Sequence, residues 1–201
     1  MDSQATESTS RSLLRRAREH DADAWRKLTA VYGPLIYQWC RRSGLQAGDA
    51  ADVVQEVFRS VATALGNFRK ERPGDTFRGW LWTITRNKIR DHARAMAKRP
   101  NPSGGSDNLE RLAQLPDTAP SDSNDDSGEK LRSVLARRAV ALMQSDFEES
   151  TWQAFWRVAV ESQSPQTVAE QLGISVAAVY MAKSRVLRRL REELDGLDLL
   201  D

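Results

Sequence analysis

Residues 99–129 divide this chain, and whatever it folds into must be built on either side of them. The stretch holds Pro100, Pro102, Pro116 and Pro120, the pair Gly104-Gly105, and the polar run Ser121-Asp122-Ser123-Asn124-Asp125-Asp126-Ser127-Gly128. Such a composition buries too little apolar surface to offset the entropy of ordering it. Only Leu109, Leu112 and Leu115 are spaced for a short helical turn. The expectation is two small all-α domains, residues 10–98 and 130–195, joined by a flexible acidic linker.

Apolar residues outside the linker recur at helical rather than alternating spacing, so strands are not predicted. One helix begins near Ser10 and carries Leu13, Leu14 and Ala17. A second starts at Asp21, a good N-cap, continues or restarts after Pro34, and closes at Gly44. A third runs from Asp49 to about Leu65 with Gly66 as its stop. Pro73-Gly74 marks a turn, and a fourth helix spans Phe77 to Ala97. After the linker the pattern predicts helices over about 130–143, around Trp152 and Phe155, over Pro165–Leu172 and over Val176–Leu194.

Charge is unevenly spread. Residues 1–100 carry 19 Lys and Arg against 11 Asp and Glu; residues 101–130 carry 2 against 7. A basic N-terminal part points to a polyanionic partner or to a plain solvated surface. Cys40 is the only cysteine, which rules out an internal disulfide and a cysteine-cluster zinc site. With only His20 and His92 besides, neither metal nor cofactor is expected. No apolar run reaches the roughly 18–20 residues that span a bilayer, and the first residues are polar, unlike a signal peptide. These observations predict a cytoplasmic protein with no direct membrane insertion.

The segment Thr167 to Tyr180 has helix-turn-helix spacing. Ala169 is small where two helices cross, Gly173 suits a left-handed turn, and Ser175 caps the second helix. At about 100° per residue, Val176, Val179, Tyr180, Val186, Leu187, Leu190 and Leu194 are expected inward. Ala178, Met181, Ala182, Arg185, Arg188 and Arg189 are expected outward. Small residues first and arginines later suit a groove with phosphate clamps behind it. A helical hairpin with a solvated arginine face has the same pattern.

Two further runs carry a resemblance. Asp49, Asp52, Gln55, Glu56 and Phe58 on one helix, followed by Phe77, Trp80, Leu81, Ile84, Arg86, Asn87, Lys88, Arg90 and Asp91 on another, resemble the conserved segments of extracytoplasmic-function sigma factors of the sigma-70 family. The helix-turn-helix stands where that family has one. The resemblance implies a sigma factor and not an enzyme, with core RNA polymerase and promoter DNA as partners. It implies that Asp49, Asp52, Gln55, Glu56 and Phe58 dock on the polymerase, although Phe58 serves equally well as a core residue. It implies −10 recognition and melting by the fourth helix. There Trp82, Arg86, Asn87 and Arg90 are expected to contact single-stranded DNA, with a flipped base held by the loop from Phe68 to Thr76. Ala178, Met181, Arg185, Arg188 and Arg189 would meet the −35 element. The linker would enter the polymerase cleft or serve as a tether, and many members are held by an anti-sigma partner. Two other readings are an independent helix-turn-helix regulator and a nucleic-acid hydrolase. The hydrolase lacks a P-loop, a histidine-rich metal set and a nucleophile elbow.

Overall fold

The computed structural model describes residues 12–72, 75–97, 115–116, 126–195 and 197. Every regular element among them is helical. The four N-terminal helices are α1 (Leu13–Arg18), α2 (Ala22–Arg42), α3 (Ala47–Ala64) and α4 (Phe77–Ala97). The C-terminal four are α5 (Asp126–Leu142), α6 (Glu149–Ala159), α7 (Pro165–Leu172) and α8 (Val176–Glu193). Most of the linker, 99–114 and 117–125, lies outside the described residues, as does the Pro73-Gly74 turn.

Local chemistry explains most boundaries. Asp21 caps α2, its carboxylate accepting from the Asp23 and Ala24 amides at 2.8 and 3.2 Å. Gly44 has φ 97° and ends α2, with the Leu45 amide donating to the Cys40 carbonyl at 3.2 Å. That is the 6→1 bond of a Schellman motif. Pro34 sits inside α2 without ending it. Gly66 is not a stop: it belongs to a 3₁₀ turn, Leu65–Asn67, that continues from α3. α5 starts at Asp126, four residues before the predicted Lys130.

The helix-turn-helix forms as its sequence dictates. Ser164 caps α7 and Ser175 caps α8, each hydroxyl accepting an amide at 3.1 Å. Between them Gly173 is left-handed, with φ 65° and ψ 32°. A Cβ there would meet nothing within 4 Å, so only the backbone resists substitution. Gly173→Ala is expected to cost roughly 1–2 kcal/mol, measurable as a lower denaturation midpoint with no change in helix content.

The helices on either side of the linker share one apolar cluster. Leu28, Val31, Tyr32, Ile36 and Trp39 of α2 join Val53, Val57 and Val61 of α3 and Phe77, Leu81 and Ile89 of α4. Leu135, Ala139, Val140, Met143, Trp152, Phe155, Val186, Leu190 and Leu194 belong to the same cluster. Polar bonds cross between the two halves as well. Buried Lys27 on α2 reaches Asp146 at 2.8 Å and Asp23 at 3.2 Å. Arg16 on α1 meets buried Glu193 of α8 at 3.5 Å, and the Tyr32 hydroxyl donates to the Leu197 carbonyl at 3.4 Å. Burial works against the Asp23 carboxylate, but Arg26, Lys27 and Arg16 around it outweigh burial and hold its pKa down to about 2. The Asp23 carboxylate is therefore ionised at neutral pH. A smaller cluster, Ala154, Val168, Ala169, Val179 and Ala182, holds α6, α7 and α8 together.

Candidate nucleic-acid interface

α4 carries the densest set of candidate contacts, and its orientation decides which of them face outward. Its buried residues are Phe77, Arg78, Leu81, Trp82, Thr85, Ile89 and Ala93. Trp82, expected to contact DNA, is instead among the buried residues. Trp82 is fully buried, edge-on to Trp39 with ring centroids 5.3 Å apart, and its Nε1–H donates to the Pro116 carbonyl at 3.1 Å. Trp80 is half-buried against Phe68 and Phe77. The helix is oriented with its Trp82 side, not its Trp80 side, against the core. The reason is that large apolar side chains occupy both arcs. Trp80 and Ile84 lie on one arc, Trp82 and Ile89 on the other, and packing against Trp39 selects the second.

Turned this way, α4 presents Gly79, Trp80, Thr83, Arg86, Asn87 and Arg90 along one stripe at three- and four-residue spacing, with Thr76 just before its first turn. At its N-terminal end lies a surface cavity of about 420 Å³. Asn67, Phe68, Arg69, Glu71 and Asp75 of the preceding loop line it together with Thr76, Gly79, Trp80 and Thr83. That loop is shaped by the Asp75 carboxylate, which accepts from the Glu71 and Arg72 amides at 3.1 and 2.9 Å. Phe68 is held between Phe77 and Trp80, with centroids 5.6 and 5.0 Å away. The cavity therefore combines aromatic edges with polar groups, a suitable lining for a flat heterocycle. At the other end of the stripe Asn87 is exposed, and Arg86 and Arg90 are half-buried. Arg90 donates to the Leu115 carbonyl at 2.9 Å and Arg86 to that of Pro116 at 3.3 Å.

The acidic set lies on α3. Asp52, Gln55 and Glu56 are exposed. Glu56 pairs with Arg59, whose guanidinium also reaches Gln55 at 3.5 Å. Asp49 is half-buried and faces His92 of α4 at 3.5 Å. Phe58 is half-buried against the main cluster, its ring 3.8 Å from the position a Cβ on Gly33 would take.

On α8, Met181 is 62% exposed, Arg185 and Arg188 are exposed, and Ala178 is half-buried. Arg189 is half-buried and tied to Glu193 at 2.7 Å, so it supports the fold of α8. Two orientations differ from expectation: Tyr180 is 55% exposed and Ala182 is buried. The inward stripe is narrower than the apolar pattern suggests. It passes through Val179, Ala182, Val186 and Leu190, and the small Ala182 lets α8 lie close to α6 and α7.

Comparison with known proteins identifies the family. The sigma-70 region 2 family model matches residues 28–99, which contain both α3 and α4. The RNA polymerase sigma factor CnrH of Cupriavidus metallidurans is 31% identical over 193 residues, covering 94% of this chain and 96% of that protein. The ECF RNA polymerase sigma factor ShbA of Streptomyces griseus is 31% identical over 188 residues, covering 90% and 92%. The chain belongs to the extracytoplasmic-function sigma factors. Among solved structures, CnrH in complex with the cytosolic domain of CnrY matches at 26% identity and a TM-score of 0.36, covering 89% of this chain and 92% of that one.

A sigma factor binds core RNA polymerase and directs promoter recognition and transcription initiation, and this one divides its candidate contacts between α3, α4 and α8. Tyr180, expected inward from its spacing, is exposed beside Met181 on the same helix. Among the described residues no helix is long and apolar enough to cross a membrane, and no cluster of His, Cys, Asp and Glu is placed to hold a metal.

Proposed function

We propose that this sigma factor, a cytoplasmic and non-enzymatic protein, divides its work between residues 10–98 and 130–195. Exposed Asp52, Gln55 and Glu56 on α3 dock on a basic surface of core polymerase. Asp49, beside His92, and Phe58, against the core, fix α3 in place. Arg86, Asn87 and Arg90 on α4 hold the non-template strand of the −10 element, and the adjoining cavity takes an unstacked base. Ala178, Met181, Arg185 and Arg188 on α8, with Tyr180 added, meet the −35 element. Arg189 contributes through its bond to Glu193. An anti-sigma protein is the further partner that the family resemblance implies.

The observation that carries this reading is the stripe on α4. A cavity with an aromatic edge and two arginines one turn apart line the same helix face, as stacking of a base and clamping of its phosphates require. An independent regulator has no use for the separate acidic surface on α3, and that surface supplies the test. Asp52→Lys with Glu56→Lys is expected to weaken binding to core polymerase roughly ten- to hundredfold, since like charges brought together at an interface cost several kcal/mol. Competition against a labelled reference sigma factor measures this. A normal binding constant with intact helix content would remove α3 from the interface.

A further inference from the structure

A piece of the chain's own backbone lies on the arginine face of α4. The Pro116 carbonyl accepts from the Trp82 Nε1–H at 3.1 Å and from Arg86 Nη1 at 3.3 Å. The Leu115 carbonyl accepts from Arg90 Nη2 at 2.9 Å. Residues 82, 86 and 90 follow one another turn by turn, so donors from three successive turns converge on two consecutive carbonyls. The Leu115 side chain secures the contact by packing, half-buried, against the main apolar cluster. These bonds span 25 to 34 residues of sequence. They are tertiary contacts, not local turns.

The chemistry is that of a substitute ligand. A carbonyl oxygen is a neutral acceptor, whereas a phosphodiester offers anionic oxygens that an arginine can grip in bidentate fashion. The fit to the carbonyls is incomplete, since the buried Nε–H of Arg90 has no acceptor among the described residues. Bonds to a neutral acceptor nevertheless compete well with dilute DNA when they belong to the same chain, because tethering gives them a high effective concentration.

We propose that Leu115–Pro116 is an intramolecular strap that occupies the single-strand-binding face of α4 in the free chain and has to leave before promoter DNA can bind there. The proposal rests on reading Arg86 and Arg90 as DNA contacts. A partner that takes hold of the linker would uncover this face without touching α4 itself, which couples partner binding to DNA binding.

The test uses the full chain and a short fluorescein-labelled single-stranded DNA of random sequence. Leu115→Gly with Pro116→Gly is expected to tighten binding about tenfold, the gain that follows when a competent form rises from roughly a tenth of molecules to nearly all. Adding Arg86→Ala and Arg90→Ala to the loosened chain should abolish that gain. A folded, loosened variant that binds no more tightly overturns the strap. A second measurement needs no loosening. The Trp82 indole N–H resonance, assigned through Trp82→Phe, should move when the unaltered chain is titrated with the same DNA; a resonance unmoved at saturation also overturns it. Failure of the underlying reading is distinguishable, because it shows as unimpaired promoter opening by the Arg86→Ala, Arg90→Ala chain bound to polymerase.

Discussion

Replacing Arg86 and Arg90 together with alanine is expected to lower promoter opening about 100-fold or more while leaving the affinity for core polymerase unchanged. Each guanidinium offers a phosphate hydrogen bonds to a charged acceptor, and such bonds contribute about 1.5–3 kcal/mol apiece. A loss of about 1.4 kcal/mol is tenfold in an equilibrium constant, so two lost contacts multiply to about 100-fold. The effect should fall on opening because both side chains lie on the α4 stripe, whereas exposed Asp52, Gln55 and Glu56 lie on a different helix, α3. Permanganate reactivity of unpaired thymines in the polymerase–promoter complex measures opening, and competition binding measures core affinity. Normal thymine reactivity in the double variant would take both arginines out of the melting step. The same substitutions remove the bonds to Leu115 and Pro116. Any stability loss should stay small, since both side chains are only half-buried.

Trp82→Ala should behave in the opposite way, as a stability variant. Trp82 is fully buried between α4 and α2, in edge contact with Trp39, and its one polar hydrogen is satisfied by Pro116. Truncating a buried tryptophan to alanine costs about 3–5 kcal/mol. For a chain of this size that corresponds to a fall in Tm on the order of 10 °C. Calorimetry or thermal circular dichroism measures it. Trp82→Phe keeps most of the ring contact and should recover most of the loss. If the alanine variant kept its Tm and lost only promoter opening, Trp82 would be a DNA-stacking residue after all. The contrast with Tyr180 is instructive. Its ring is 55% exposed, so its removal should leave Tm nearly unchanged and act at the −35 element.

Where each piece of information resides in this chain follows from how far apart the determining atoms are. The helices, Asp21, Ser164 and Ser175 as caps, and the left-handed turns at Gly44 and Gly173 are settled by atoms within a few residues of one another. Sequence alone therefore determined them, together with the family. The exposure of Asp52, Gln55 and Glu56 was equally legible, because α3 has apolar residues on one arc only. α4 has them on two, so its own pattern permitted two faces, and only Trp39, 43 positions earlier in the sequence, decided between Trp80 and Trp82. Tyr180 and Ala182 changed places for a related reason: side-chain size at the crossing with α6 and α7 outweighed hydrophobicity. The tertiary structure alone decided that Lys27 meets Asp146, that Arg16 meets Glu193, and that Leu115 and Pro116 lie over Arg86 and Arg90. Those partners are 25 to 177 residues apart. Short-range periodicity carries no record of contacts made at such separations.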